Sequence, residues 1–271
     1  MPELPEVETI RRQLDEYLSG KKIISAEVRY GKIVRFPVKK FLQLTRGVKF
    51  KSVGRRAKLL LLNLSNGWTI LTHLKMTGQY LISGTADKHV HVIFNLAGNK
   101  KLFFRDVRKF GYLKPVKTAE LDKYFQHEGY GPEPLDRYFT LAKFRALLQA
   151  KKKSRLKQLF LDQKFLAGVG NIYAQEICFF AAVKPQRKVG TLTEAEIKKL
   201  YTGLKKILQR AVALRGTSAD DYLDIHGHQG GYLKHLKVYG RAGKKCYRCG
   251  AVLKDLRLGG RGTVFCAKCQ K

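Results

Sequence analysis

Cys246-Tyr-Arg-Cys249 and Cys266-Ala-Lys-Cys269 form two CxxC pairs separated by 16 residues. No other feature limits the fold as tightly. Four thiolates at this spacing suit one tetrahedral Zn2+, and a site saturated by four sulfurs is structural rather than catalytic. Four unrelated cysteines are the alternative, but paired CxxC at ribbon spacing is a specific signal. The fifth, Cys178, lies in the apolar run EICFFAA and reads as core.

The chain of 271 residues has 54 Lys and Arg against 21 Asp and Glu, a formal charge of +33. That excess exceeds what solubility needs and points to a polyanionic partner, nucleic acid before an anionic membrane. No apolar run approaches the roughly 18 residues of a membrane span. The first twenty residues hold Glu3, Glu6, Glu8, Asp15 and Glu16 and lack an apolar signal core, so a soluble cytoplasmic protein with reduced thiols is expected. From Lys234 onward there are eleven Lys or Arg and one acid, Asp255. Between the cysteine pairs, LGGRGTVF sets three glycines around Arg261. A hairpin tip there would present a guanidinium suited to clamping phosphate; a tight turn with a solvated arginine reads the same way.

Periodicity divides the rest. Val7, Ile10, Leu14 and Leu18 lie on one face of an N-terminal helix. From residue 22 to about 115 the pattern is β, with hairpin signals at Ser65-Asn66-Gly67 and Ala97-Gly98-Asn99. GYGPEPLDR (129–137) reads as a linker. Helical patterns follow, including a capping box at Thr193 and Glu196. TSADDYLDIHGHQGGYL (217–233) is polar and glycine-rich and reads as a mobile loop. The expected fold is multidomain α+β: a β-sandwich or barrel with an N-terminal helix (1–130), a linker (131–136), a helical domain with its loop (137–233), and a zinc ribbon (234–271).

Two further stretches carry chemistry. In LDQKFLAGVGNIYAQEI (161–177), Gly168 and Gly170 flank a turn, and Asn171 is placed to cap the helix that follows. Free N–H groups at such a start bind anions. With Lys157 one helix earlier, this reads as a helix–turn–helix element gripping DNA backbone, or as an ordinary capped helix. The run Lys151-Lys152-Lys153 reads as a solvated helix face. MPELPEVE is the second stretch. Removal of Met1 would leave Pro2 as a terminal secondary amine, with a reference pKa near ~8. Desolvation, a helix N-terminus and nearby cations lower such a value. The free amine can attack an electrophilic sugar carbon and form an iminium. Glu3 could move protons and Glu6 could hold either neighbour. A plain first helical turn with Pro5 and dipole-complementing acids satisfies the same residues.

Taken together, PELPEVE, RRAKLLL, THLKMTG, DVRKFG, GPEPL, AGVGNIYAQE, KVYG and GGRGTVFCAKCQ resemble the bacterial formamidopyrimidine-DNA glycosylase family, which includes endonuclease VIII. The resemblance runs end to end and in order. PELPEVE and DVRKFG favour its purine-lesion branch. It implies that the N-terminal β domain is a sandwich, and it implies a helix-two-turn-helix domain, a lesion-capping loop at about 217–233, and a monomer that acts on damaged double-stranded DNA. Pro2 would attack C1′ of a flipped nucleotide and expel the oxidised base. β- and δ-elimination from the Schiff base would then cut the strand on both sides. Glu3 would donate the proton for sugar opening and base departure. Lys58 would contact phosphate and donate a proton, with Arg261 completing the catalytic set and Glu6 supporting it. His73, Lys157, Asn171, Tyr239 and Arg261 match phosphate-gripping positions. Met76, Arg108 and Phe110 match residues that fill the void, Arg108 reading the orphaned cytosine; ordinary β-core packing would equally suit Met76 and Phe110.

Several positions depart from the family's pattern. Asp220 stands where a basic residue is common, Lys75 where Arg is, Thr77 where an acid is, Val90 where Asp is and Val264 where His is. His89 and His91 alternate along one strand and are expected to be structural or phosphate-adjacent. Two other readings fit the charge and the ribbon: an endonuclease VIII-like enzyme for oxidised pyrimidines, and a non-catalytic nucleic-acid-binding protein.

Overall fold

The computed structural model describes residues 1–219 and 221–271; Asp220, where the family pattern is broken, lies outside them. The chain divides into two compact units. One is Met1–Glu128 with Leu214–Gly231; the other is Gly129–Ala213 with Tyr232–Lys271.

The first unit is a β-sandwich. Helix α1 (Leu4–Leu18) leads into β1 (Ile23–Val28), α2 (Val38–Thr45), β2 (Phe50–Arg56), β3 (Leu59–Leu64), β4 (Trp68–His73), β5 (Gly78–Leu81), β6 (Val90–Leu96), β7 (Lys100–Asp106), β8 (Tyr112–Lys117) and α3 (Leu121–Glu128). One four-stranded antiparallel sheet has the order β1-β6-β7-β5, the other β2-β3-β4-β8. Both turn signals hold: residues 65–67 join β3 to β4, and 97–99 join β6 to β7, with Gly67 and Gly98 at positive φ. Leu60, Leu62, Ile70, Val92, Phe94 and Phe104 meet between the sheets, and Val7, Ile10, Leu14 and Leu18 of α1 close one side. The helical spacing of α1 in the sequence is thus its buried stripe.

Within the segment 217–233, read from its composition as a mobile loop, several described residues are anchored. Tyr222 and Ile225 join the sandwich core, and Asp224 is buried. Asp224 accepts the Gln13 amide and the N–H groups of His226 and His228. Two apolar side chains and one satisfied carboxylate anchor a stretch too short for periodicity to reveal.

The second unit contains α4 (Leu141–Gln149), α5 (Leu156–Leu161), α6 (Asn171–Phe180), α7 (Glu194–Ala213) and the hairpin β9 (Lys254–Leu258) with β10 (Arg261–Phe265). The capping box at α7 is present: Glu196 accepts Thr193 N–H at 2.8 Å and its own N–H reaches the Thr193 hydroxyl at 3.3 Å. Cys178 is fully buried, and burial pushes its thiol up to about 12, so it packs as an inert core residue. Among the described residues no helix is long and apolar enough to cross a membrane.

Candidate functional site

In the first unit the site begins at the N-terminus of α1. Pro2 is buried, and Glu3 and Glu6 are 2% and 1% exposed. Glu3 is the N-cap residue. Its N–H donates to Glu6 Oε2 at 2.8 Å, and the other Glu6 oxygen accepts Thr217 N–H at 2.7 Å. Two backbone donors are therefore met by one carboxylate at the positive end of a helix. Gly216 makes the approach possible: its φ is +79°, and a Cβ there would lie 2.7 Å from Glu6 Oε1.

Lys58 is 7% exposed and follows Ala57, whose φ is +52°. This β2–β3 turn is tied to α1 through Arg55, which donates to Glu8 Oε2 at 3.0 Å and to Ala57 O at 2.9 Å. Burial alone would raise the Glu8 carboxyl, but hydrogen bonds from Arg11, Arg12 and Arg55 hold it below its ordinary range. Neither Glu8 nor Arg55 stands out in the sequence as a positioning pair.

The pairing of Leu59 with His73 sets His73 beside the Lys58 turn. His73 Nδ1 accepts Lys75 N–H at 2.9 Å. That bond leaves the proton on Nε2, a single neutral donor. Burial, then the charges of Lys75, Lys58 and Arg35, push its pKa from 6.5 down to about 3. The Tyr112 ring packs 5.9 Å from His73, with the Arg35 guanidinium 3.6 Å above it. Arg35 carries no motif and is seen only in the fold.

Met76, Arg108 and Phe110 stand on two loops joined by Asp106. Its Oδ1 accepts the Thr77 hydroxyl at 2.5 Å and Arg108 N–H at 3.2 Å, and Oδ2 accepts Gly111 N–H at 2.7 Å. Arg108 N–H also reaches Thr77 Oγ1 at 3.0 Å. Thr77, placed where an acid is common, thus ties the Met76 turn to the 107–110 loop. Phe110 is 52% exposed, and the Arg108 guanidinium lies 4.8 Å from its ring. An exposed aromatic capped by a cation is not core packing. His91 is buried and bonded to Asp106 O at 2.8 Å, which makes it a support for the same loop.

In the second unit a different set converges on the β9–β10 hairpin. Gly259 and Gly260 turn the chain at positive φ, and Arg261 is exposed at the tip. Asn171 is not the cap residue: α6 starts at Asn171, and Gly170 is its N-cap without a side-chain bond. The Asn171 amide instead donates to Gly262 O at 3.4 Å. Lys157, expected on phosphate, is 1% exposed. Its ammonium donates to Thr263 Oγ1 at 2.7 Å and Gly262 O at 3.3 Å, because a buried cation must be met by oxygens. It supports the hairpin from behind. Gln175 adds a bond from Val264 N–H at 2.6 Å. Gln163 staples the preceding turn through Val169 O and Gly168 N–H, each at 2.8 Å.

Tyr239 is half-buried on a segment held by Glu176, whose carboxylate accepts the N–H groups of Lys237, Val238 and Tyr239, all at 2.9 Å. Burial raises that carboxyl even though the three N–H groups stabilise its charge. The sequence shows Glu176 only as the last letter of a motif.

The four ligand sulfurs of Cys246, Cys249, Cys266 and Cys269 lie within 4.8 Å of one another. Cys246 to Cys269 is 3.9 Å and Cys249 to Cys266 is 3.6 Å. Tetrahedral zinc with bonds of about 2.3 Å requires sulfurs about 3.8 Å apart. The N–H groups of Arg248 and Cys269 point at Cys246 and Cys266 sulfur, as thiolates require. The donor set fits one structural Zn2+.

Three domain families match the chain: the formamidopyrimidine-DNA glycosylase N-terminal domain over residues 1–113, its H2TH domain over 130–222, and the zinc finger found in FPG and IleRS over 243–271. The formamidopyrimidine-DNA glycosylases of Desulfitobacterium hafniense and Streptococcus mutans are each 42% identical to it, over the full length of both chains. A Lactococcus lactis FPG mutant crystallised with Fapy-dG DNA superimposes with a TM-score of 0.94 at 35% identity, covering both chains completely. The L. lactis enzyme with abasic-site DNA gives 0.93 at 35%, over 99% of each chain. This protein belongs to the formamidopyrimidine-DNA glycosylase family.

Proposed function

We propose that the chain is a base-excision repair enzyme, a DNA glycosylase and AP lyase that removes oxidised purines such as 8-oxoguanine and formamidopyrimidines from duplex DNA. The observation that carries this reading is the N-terminus itself. Pro2 is buried beside Glu3 at a helix start, and the neighbouring strand ends bear Lys58 and His73. With Met1 removed, the Pro2 nitrogen bonds to C1′ as the C1′–N bond breaks, and the base leaves as a neutral species after taking a proton. Glu3 supplies the proton for ring opening. Loss of a 2′ proton then expels the 3′ phosphate, and a second elimination expels the 5′ phosphate. Lys58 contacts phosphate and donates a proton. His73 donates through Nε2, while Asn171, Tyr239 and Arg261 grip the backbone. Met76, Arg108 and Phe110 occupy the gap left by extrusion, where apolar contact offsets lost stacking.

Zinc on the four cysteines would be structural and would hold the hairpin that presents Arg261, the last of the catalytic set. Residues 1–130, 137–233 and 234–271 divide these tasks, with the loop at about 217–233 as the cap over the lesion. We place the enzyme in the bacterial cytoplasm, acting as a monomer on DNA.

The test is borohydride trapping on a duplex with 8-oxoguanine opposite cytosine. A covalent adduct at Pro2, in protein whose intact mass lacks Met1, is expected. Met1-free protein that excises base without a trapped adduct would overturn the Pro2 mechanism. A second reading, oxidised pyrimidines as substrates, has support in the L. lactis enzyme, whose structure was solved with DNA containing an oxidised pyrimidine. Relative rates on oxidised thymine and oxidised guanine duplexes decide between them.

A further inference from the structure

The second unit contains a cavity of about 500 Å3 walled by α6, α7, residues 232–237 and the first zinc knuckle. Asn171 starts α6 and Phe180 ends it, so the cavity's α6 residues, Glu176 to Phe180, lie about 7–13 Å along the helix from Asn171. Its floor is apolar, built by Phe179, Ile207 and Tyr232. Phe180 and Tyr247 are exposed at its edge, Tyr247 by 67%.

The rim is cationic: Lys206, Arg210, Lys237 and Arg248. Among the described residues the one acid in the lining is Glu176, already committed to three N–H groups. Three of the rim cations rest on neutral groups. Arg210 donates to His235 Nδ1 at 3.2 Å. Arg248 donates to Phe179 O at 3.2 Å, and Lys237 sits 5.0 Å from the Tyr247 ring. His235 accepts that bond as a neutral ring. The cavity thus joins an apolar pit to positive charge that no lining carboxylate is left to neutralise.

We propose that this cavity docks a short acidic segment of a partner protein, which buries an aromatic or large aliphatic side chain against Phe179, Phe180 and Tyr232 and sets flanking carboxylates on the four cations. Charge complementarity selects an anion, and the apolar pit selects a side-chain anchor. A nucleotide fits less well: reading a base edge needs polar groups aimed at it, and the one lining carboxylate, Glu176, is committed to three N–H groups. The site serves recruitment and lies outside the residues assigned to catalysis and DNA contact, apart from the Glu176 and Lys237 backbone support of Tyr239.

The probe is fluorescein-labelled Asp-Asp-Asp-Asp-Phe-Phe, titrated by anisotropy with the full-length zinc-loaded chain. Saturable binding is expected, with an all-aspartate hexapeptide about tenfold weaker. The double variant Lys206→Glu/Arg210→Glu should weaken the peptide by about tenfold or more and Phe180→Ala by about fivefold. Affinity of Phe180→Ala for abasic-site duplex should stay within about twofold. A benzophenone in place of the last phenylalanine, photolysed with the unaltered chain, should label peptides from 176–180, 206–210 or 232–248. Equal binding of the all-aspartate peptide, unchanged binding by the variants, labelling elsewhere, or displacement of the probe by hexathymidylate at equal concentration would each overturn the proposal.

Discussion

One oxygen of the Glu6 carboxylate accepts the N–H of Thr217, a residue 211 positions later, at 2.7 Å. The other oxygen holds the N–H of Glu3 at 2.8 Å. The Leu214–Gly231 stretch and the N-terminal residue pair are therefore linked through one side chain.

Glu6→Gln puts this to the test. The amide keeps the shape but offers only one accepting atom, leaving one buried N–H without its partner. A stability loss of about 1–3 kcal/mol is expected, with a larger loss in base excision than in cutting of a pre-formed abasic site. Gly216→Ala should act in the same direction, since its Cβ would crowd Glu6 Oε1 at positive φ. Thermal unfolding and paired rate measurements on the two substrates check both.

His73 yields a pH prediction. Its folded pKa of about 3 lies below its ordinary 6.5, so between those values the unfolded chain binds the extra proton. Its contribution to stability is complete above 6.5 and shrinks as pH falls toward 3. His73→Gln should flatten the acid limb of the thermal midpoint curve. DNA affinity should show no inflexion near 6.5 from this residue, because it stays neutral.

Zinc removal should separate the two units in their response. The chain has one tryptophan, Trp68, in strand β4 of the sandwich, packed edge-on against Phe36. Chelation, or Cys266→Ser, should abolish tight DNA binding by releasing Arg261 and the hairpin. Trp68 emission and its unfolding transition should change little. Loss of the Trp68 signal along with zinc would contradict this assignment.

Glu176→Gln tests the support of Tyr239. Three N–H groups share that carboxylate, and an amide oxygen cannot serve all of them. DNA affinity should fall about tenfold while the slope of log affinity against log salt stays nearly constant, because a neutral tyrosine contact releases no counterion. Unchanged affinity would place Tyr239 away from phosphate.

Much of this molecule is legible in its sequence wherever the determinant is local. The cysteine pairs, the turns at 65–67 and 97–99, the Thr193–Glu196 box and the stripe on α1 depend on neighbours a few residues apart. Long-range pairings are silent. Nothing near Glu8 announces Arg55, 47 residues on, and nothing near Lys157 announces Thr263, 106 residues on. Lys157 therefore reads as a surface cation although it is buried. Asn171 reads as a cap because the residue type suits it; the backbone puts Gly170 there, and the amide turns to the hairpin. Residues 217–233 read as a mobile loop because their buried apolar side chains, among them Tyr222 and Ile225, are too few and too widely spaced to make a pattern.

The sandwich is interrupted in sequence: Glu128 and Leu214 belong to the same unit, with 129–213 in the other. A ribosome adding about 5–20 residues per second leaves an interval of roughly 5–20 s between completing Glu128 and completing Gly231. Through that interval the nascent sandwich lacks Tyr222, Ile225 and the Thr217 N–H that Glu6 will hold. The N-terminal residues are made first and acquire their final surroundings late, so the Pro2–Glu3 end of the chain matures only after most of the chain has been synthesised.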